Sequence, residues 1–195
     1  MYTNPNTSKV IVDDYVGARE AVLHLIDQGC TRIAHLMAAP NLLISTDRLR
    51  GYRDALAEKG LEYKENLIIQ CPDGSFEEAE KAAKKLLAMS TVPDAIFANN
   101  DMLAMGAMKA IKEKGLKIPD DIALMGFSNW FFSQLMDPPL SSVDQPGFEM
   151  GQEAARLLIR HIEMRDKDQG EPQPETKVLK TRLVVRESSS RKRKK

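Results

Sequence analysis

The chain has 195 residues, 43% hydrophobic and 29% charged, the mix of an ordinary globular domain. Its 28 basic and 28 acidic side chains cancel, so no net field draws the whole molecule to nucleic acid or a membrane surface. No apolar run is long enough to cross a bilayer, and the opening MYTNPNTSKV has no signal-like apolar core. Cys30 and Cys71 stand apart, with no second ligand at metal spacing. A cytoplasmic protein with free thiols, no metal and no cofactor is expected.

In chain order, Lys9–Asp13 reads as a short strand. A helix over 15–28 follows, with Asp14 as its cap and Gly29 as its stop. The segment 32–37 is the next strand, 38–46 a loop, and 47–59 a helix closed by Gly60. A strand over 66–71 precedes the helix 76–89, with Ser75 and Glu78 in capping-box spacing. The apolar run 94–98 leads through Asn99, Asn100 and Asp101 into a helix that ends at Gly115. Another strand over 121–126 enters the aromatic, irregular stretch FSNWFFSQLMDPP. A short strand over 141–144, an amphipathic helix over 146–164, a polar loop over 166–175 and one closing strand over 177–185 complete the pattern. Strands alternating with helices imply right-handed βαβ units and a mostly parallel, doubly wound α/β sheet.

In such a sheet ligands sit outside the carboxyl ends of the strands. Arg48, Asp73, Asn100, Asn129 and Trp130 all fall at that edge. A guanidinium near a helix start gains nothing from the helix dipole, so Arg48 reads either as a solvated surface side chain or as a fork of donors aimed into the crevice. Asn100 is equally well a helix cap, Asp73 a turn residue and Trp130 a packing residue. Donors, acceptors and an aromatic wall suit a polyol, a purine or an amino acid. The chain has no glycine-rich phosphate loop, no nucleophile elbow and no paired nucleophile and base, so no enzyme chemistry is expected. His24, His35 and His161 are scattered along it.

Several stretches together resemble the LacI/GalR family of bacterial transcription regulators, which shares its fold with periplasmic sugar-binding proteins. They are VDDYVGAREAVLHLIDQGCTRIAHL, RLRGYRDAL, FANNDMLAMGAMKAIKEKGLKIPDDIALMGFSN, DPPLSSVDQPGFEMGQEAARLL and the closing LVVRES. The resemblance implies a two-lobe, periplasmic-binding-protein-like fold with an incomplete N-terminal lobe. Residues 1–8 would be a disordered start, 9–37 and 141–164 the partial N-terminal lobe, 38–140 and 165–188 the C-terminal lobe, and 189–195 a basic disordered tail. It implies a small polar effector, sugar-like, held by Arg48, Asn100 and Asn129. It also implies a homodimer formed through the helix 102–114. Operator DNA would be reached only through a helix-turn-helix headpiece absent from this chain, and no membrane partner is implied. The family often has an aromatic side chain where Gly74 stands here, with Phe76 two residues on. The rival readings are a periplasmic-type solute receptor for sugar transport and a doubly wound sugar enzyme.

Overall fold

The computed structural model describes residues 7–166 and 173–191. The expected disorder at 1–6 and 192–195, and part of the polar loop before residue 175, lie outside the described residues. The elements are β1 (Lys9–Val12), α1 (Asp14–Asp27), β2 (Ile33–Met37), α2 (Leu43–Glu58), β3 (Ile68–Gln70), α3 (Phe76–Leu87), β4 (Ala95–Ala98) and α4 (Asp101–Glu113). After them come β5 (Ala123–Ser128), β6 (Ser141–Asp144), α5 (Gly147–Asp166), β7 (Thr176–Leu179) and β8 (Arg182–Val184).

Six strands form the main sheet in the order β3-β2-β4-β5-β6-β8. The first five are parallel and β8 runs antiparallel to β6. The sequence accounts for this layout. The central strands β2 and β4 are buried at every position, as strands covered on both faces must be. One face carries α3 and α4 over a core that includes Leu36, Ile96, Leu103 and Leu124. The other carries α1 and α2 over Phe97, Met125, Phe127 and Val143. Backbones meet closely on both faces. A methyl group on Gly51 of α2 would lie 2.4 Å from the Tyr15 carbonyl oxygen of α1, and one on Gly106 of α4 would lie 2.4 Å from that of Phe76.

The lobe boundaries differ from those implied by the family resemblance. α1 packs under the main sheet, and β2 and β6 are strands of that sheet, so neither 9–37 nor 141–164 is a unit of its own. What stands apart is a two-stranded parallel sheet, β1 with β7, in which Val10 faces Lys177. Helix α5 lies beside it, and Lys177 pairs with Glu153 of α5. The closing strand over 177–185 is in fact two. It breaks at Lys180–Thr181, and its halves pair in different sheets because this segment passes from the small sheet to the large one.

The chain end also differs. Ser188 and Ser189 are fully buried, and Arg191 donates to the carbonyls of Pro119, Asp120 and Asp121. The disordered tail therefore cannot begin at 189. Helix α2 starts at Leu43, four residues before the expected Asp47, because Thr46 accommodates the helix by bonding its hydroxyl to the Leu43 carbonyl.

Candidate functional site

The parallel strands β2, β3, β4 and β5 deliver their loops to one edge of the sheet. At the middle of that edge Asn100 caps α4, its Oδ1 accepting from the Leu103 N–H at 2.8 Å. The cap fixes the amide orientation. Oδ1 is spent on the helix, and Nδ2 forms no hydrogen bond among the described residues. Across the edge, a methyl group on Gly74 would come within 3.8 Å of that Nδ2. Gly74 has φ +64°, a conformation that suits glycine in this turn.

Asp101 follows and is fully buried. Its Oδ1 accepts from the Ser142 hydroxyl at 2.6 Å. Its Oδ2 accepts from the Ser133 hydroxyl at 2.7 Å and the Trp130 N–H at 2.8 Å. Burial raises the Asp101 carboxyl above the usual range, against the pull of those donors. The Ser142 hydroxyl in turn accepts from the Asn129 N–H at 3.0 Å. Asp101 thus ties the end of β4 to the β5 loop and to β6.

That loop leaves β5 through two residues of positive φ, Ser128 at 112° and Asn129 at 50°. Both are sparsely populated conformations for side chains with a Cβ. The Asn129 amide is engaged on both sides. Nδ2 donates to Asp144 Oδ1 and Oδ1 accepts from Arg186, each at 2.8 Å. Trp130 is half-exposed and meets Phe132 edge-to-face.

Arg48 departs from expectation. It is 3% exposed rather than open to a crevice. Its Nε and Nη2 both donate to Asp14 Oδ1, at 2.8 and 2.5 Å, and Nη1 donates to the Asn99 carbonyl oxygen. The guanidinium also stacks over Phe127, 3.6 Å from the ring centre. Asp14 is available for this because Asp13, not Asp14, caps α1 by accepting from the Val16 N–H. Burial raises the Asp14 carboxyl and lowers the Arg48 guanidinium, and their mutual attraction opposes the shift in each. The pair therefore joins the start of α1, just past β1, to the carboxyl edge of the main sheet.

Asp73 is exposed, and its backbone N–H is held by Glu78 Oε2 at 2.8 Å. Ser75 caps α3 as expected, but the reciprocal arm of the capping box reaches Asp73 instead of Ser75. The structure therefore links Asn129 and Trp130 through Ser142 and Asp101, sets Asn100 next to Asp101 at the same edge, and holds Arg48 beneath it on the Asn99 carbonyl, while Asp73 is exposed. A separate cavity of about 330 Å³, between Thr31, Leu56, Lys64 and Thr91, lies toward the amino ends of the strands and is lined by none of these residues.

Sequence reasoning missed Asp14, Arg186 and the anchoring role of Asp101. Arg186 donates to the Leu140 carbonyl and to Asn129, both neutral, and forms no ion pair among the described residues. Spacing along the chain gives no sign of a partner 57 residues away. His35, lying on β2 between Tyr52 and Phe97, is a packed core histidine pushed down by burial to about 4. Among the described residues no cluster of His, Cys, Asp and Glu suits a metal ion, and no helix is long and apolar enough to cross a membrane.

A parallel α/β sheet whose loops converge on a polar edge, joined to a second small sheet, defines a binding fold of the two-lobe receptor type. Residues 22–189 match the periplasmic binding protein-like domain family, and the chain belongs to that family. Among its relatives are the HTH-type transcriptional regulator CelR of Thermobifida fusca, 35% identical over 93% of this chain and 52% of its own length, and the ribose operon repressor of Halalkalibacterium halodurans, 34% identical over 96% and 54%. The solved CelR–cellobiose complex superposes with a TM-score of 0.85 at 33% identity, covering 94% of this chain and 54% of that one. The relatives are transcriptional regulators rather than enzymes. The chain spans about half the length of the curated relatives it matches.

Proposed function

We propose that this chain is the effector-binding and dimerisation core of a LacI-type transcription regulator, and that a sugar or related small polar metabolite binds over the carboxyl edge of the main sheet. The observation that carries the reading is the convergence of Asn100, Asn129 and Trp130 on that edge, with Arg48 directly under it, in a chain whose relatives include a regulator solved with cellobiose. Effector binding would favour one arrangement of the main sheet against the β1–β7 unit. The intact regulator would read that arrangement as a change in operator affinity, through differential binding of about 1–3 kcal/mol.

A homodimer would form over α4. Met105 and Met108 line a groove there with Phe76 and Met136, and its apolar lining suits a second copy. In calorimetric titrations of the whole chain with cellobiose, ribose and their relatives, at least one sugar should bind and also raise the melting temperature. A panel in which no sugar binds would overturn the reading.

A further inference from the structure

We infer that Asp144 is a positioning residue that carries effector binding from Asn129 to the β1–β7 unit, with Arg182 as its partner; this rests on the carboxyl edge being the effector site.

The chain crosses three times between the main sheet and the unit formed by β1, β7 and α5. It does so from β1 to α1 at Asp13, from β6 to α5 at Gln145 and Pro146, and from β7 to β8 at Lys180 and Thr181. The three crossings are bound to one another. The Asp13 N–H donates to the Leu179 carbonyl at 3.1 Å. A methyl group on Gly17 of α1 would lie 2.7 Å from Thr181 Oγ1 and 2.9 Å from Val143 Cγ1. Asp144 and Arg182 stand opposite each other in the antiparallel β6–β8 pair. Asp144 is the last residue of β6 and Arg182 the first of β8, so two of the crossings meet at this pair.

Two polar ties run from the crossings to the carboxyl edge. One is Arg48, between Asp14 and the Asn99 carbonyl. The other is Asn129. Its Nδ2 donates to Asp144 Oδ1, and Arg182 Nη2 reaches Asp144 Oδ2 at 3.3 Å. The side chains of Arg48 and Asp14 are 4% and 8% exposed, those of Arg182 and Asp144 77% and 28%. Breaking the first tie strands a buried charge, whereas water replaces the second at little cost. The second tie is therefore the one that a ligand can bias.

Asn129 is placed to exert that bias. Arg186, which also holds the Leu140 carbonyl, donates to the Asn129 amide oxygen. One N–H of Nδ2 goes to Asp144, and the other has no partner among the described residues. A ligand oxygen on the open N–H fixes the amide plane, and the same plane aims the first N–H at Asp144. The two hydrogen bonds support each other. With Asp144 held, the end of β6 and the start of β8 are clamped, and the small unit swings only by giving up the ligand contact. Coupling of this kind is reciprocal: the factor that the ligand gains from the closed tie is the factor that the tie gains from the ligand.

The test is amide hydrogen exchange on the whole chain, free and saturated with cellobiose, ribose or another sugar of the calorimetric panel. A bound sugar should slow exchange at β1, β7 and α5 roughly fivefold or more, the low end of ordinary coupling. Asp144→Ala and Arg182→Gln should each cut that slowing to under about twofold, while the sugar still protects Asn99 to Leu103. Sugar affinity should fall by no more than the factor lost. Arg182 is exposed, so Arg182→Gln keeps the fold and remains readable if Asp144→Ala does not fold. Lys177→Gln breaks an ion pair with Glu153 inside the small unit. It should speed exchange there with and without sugar alike and leave the effect of the sugar intact, which separates coupling from local stability. A bound sugar that leaves β1, β7 and α5 unchanged, or slows them as much in Arg182→Gln as in the native chain, would overturn the inference and leave the sugar-effector reading standing. A panel in which no sugar binds would overturn both.

Discussion

Arg48 and Asp14 show how a buried pair can hold a joint between elements. Both charges are nearly removed from water, and their mutual attraction offsets part of the cost of burying each. Removing one partner leaves the other buried and unpaired. Arg48→Met should therefore cost about 3–5 kcal/mol in urea unfolding, and a second change, Asp14→Leu, should restore most of that loss. A loss under about 1 kcal/mol for the single variant would show that water reaches the pair. Asp101 gives a second residue-scale expectation, in its pH dependence. Its folded pKa is raised, so the folded state holds the proton more tightly than the unfolded state does. The stability it contributes is present in full below the unfolded value near 4 and is lost as pH rises through the folded value. The advantage of the native chain over Asp101→Asn, measured by urea melts at several pH values, should be widest at acid pH and narrow toward neutrality. An advantage that widens with rising pH would contradict the assigned direction.

At the scale of elements, the two faces of the main sheet depend on helix pairs drawn close by glycine. α1 meets α2 at Gly51, and α3 meets α4 at Gly106. Placing a Cβ 2.4 Å from a backbone carbonyl oxygen forces the helices apart. Gly51→Ala and Gly106→Ala should each cost about 1–3 kcal/mol by chemical denaturation, although alanine is the better helix former. Most of these elements could be read from the sequence, because the apolar runs of β2 and β4, the glycine stops and the Ser75 cap act locally. The lobe assignment could not. Which sheet a strand joins is set by packing at long range, and the pattern of β2 or β6 is the same in either sheet. The site was legible in the same uneven way. Asn100 and Asn129 announce themselves as polar residues just past apolar strands. Whether a given side chain remains free depends on partners far away in sequence, as for Arg48 with Asp14, 34 residues away. An arginine read from sequence as an open fork proved to be an internal tie.

At the scale of the molecule, stability is unevenly spread. The main sheet buries a core on each face, whereas Leu157 is the only buried side chain of α5 among the described residues. Leu158, Ile159 and Ile162 of that helix are exposed, as are Ile11 and Val178, which face each other across β1 and β7. A two-stranded parallel sheet with so little apolar cover is marginal in water. Amide hydrogen exchange should find β1, β7 and α5 opening well before β2, β4 and β5, and equal protection throughout would contradict that ranking. The arrangement suits a receptor, since ligand binding acts most effectively on the parts that move at low cost.

The central claim, that the effector lies over the carboxyl edge of the main sheet, is tested most directly by mapping amide chemical shifts while the whole chain is titrated with the tightest-binding sugar of the panel. The account predicts saturable shifts concentrated at Gly74, at Asn99 to Leu103 and at Ser128 to Trp130. Shifts confined to the amino-end cavity at Thr31, Leu56 and Thr91, with the carboxyl edge silent, would contradict it.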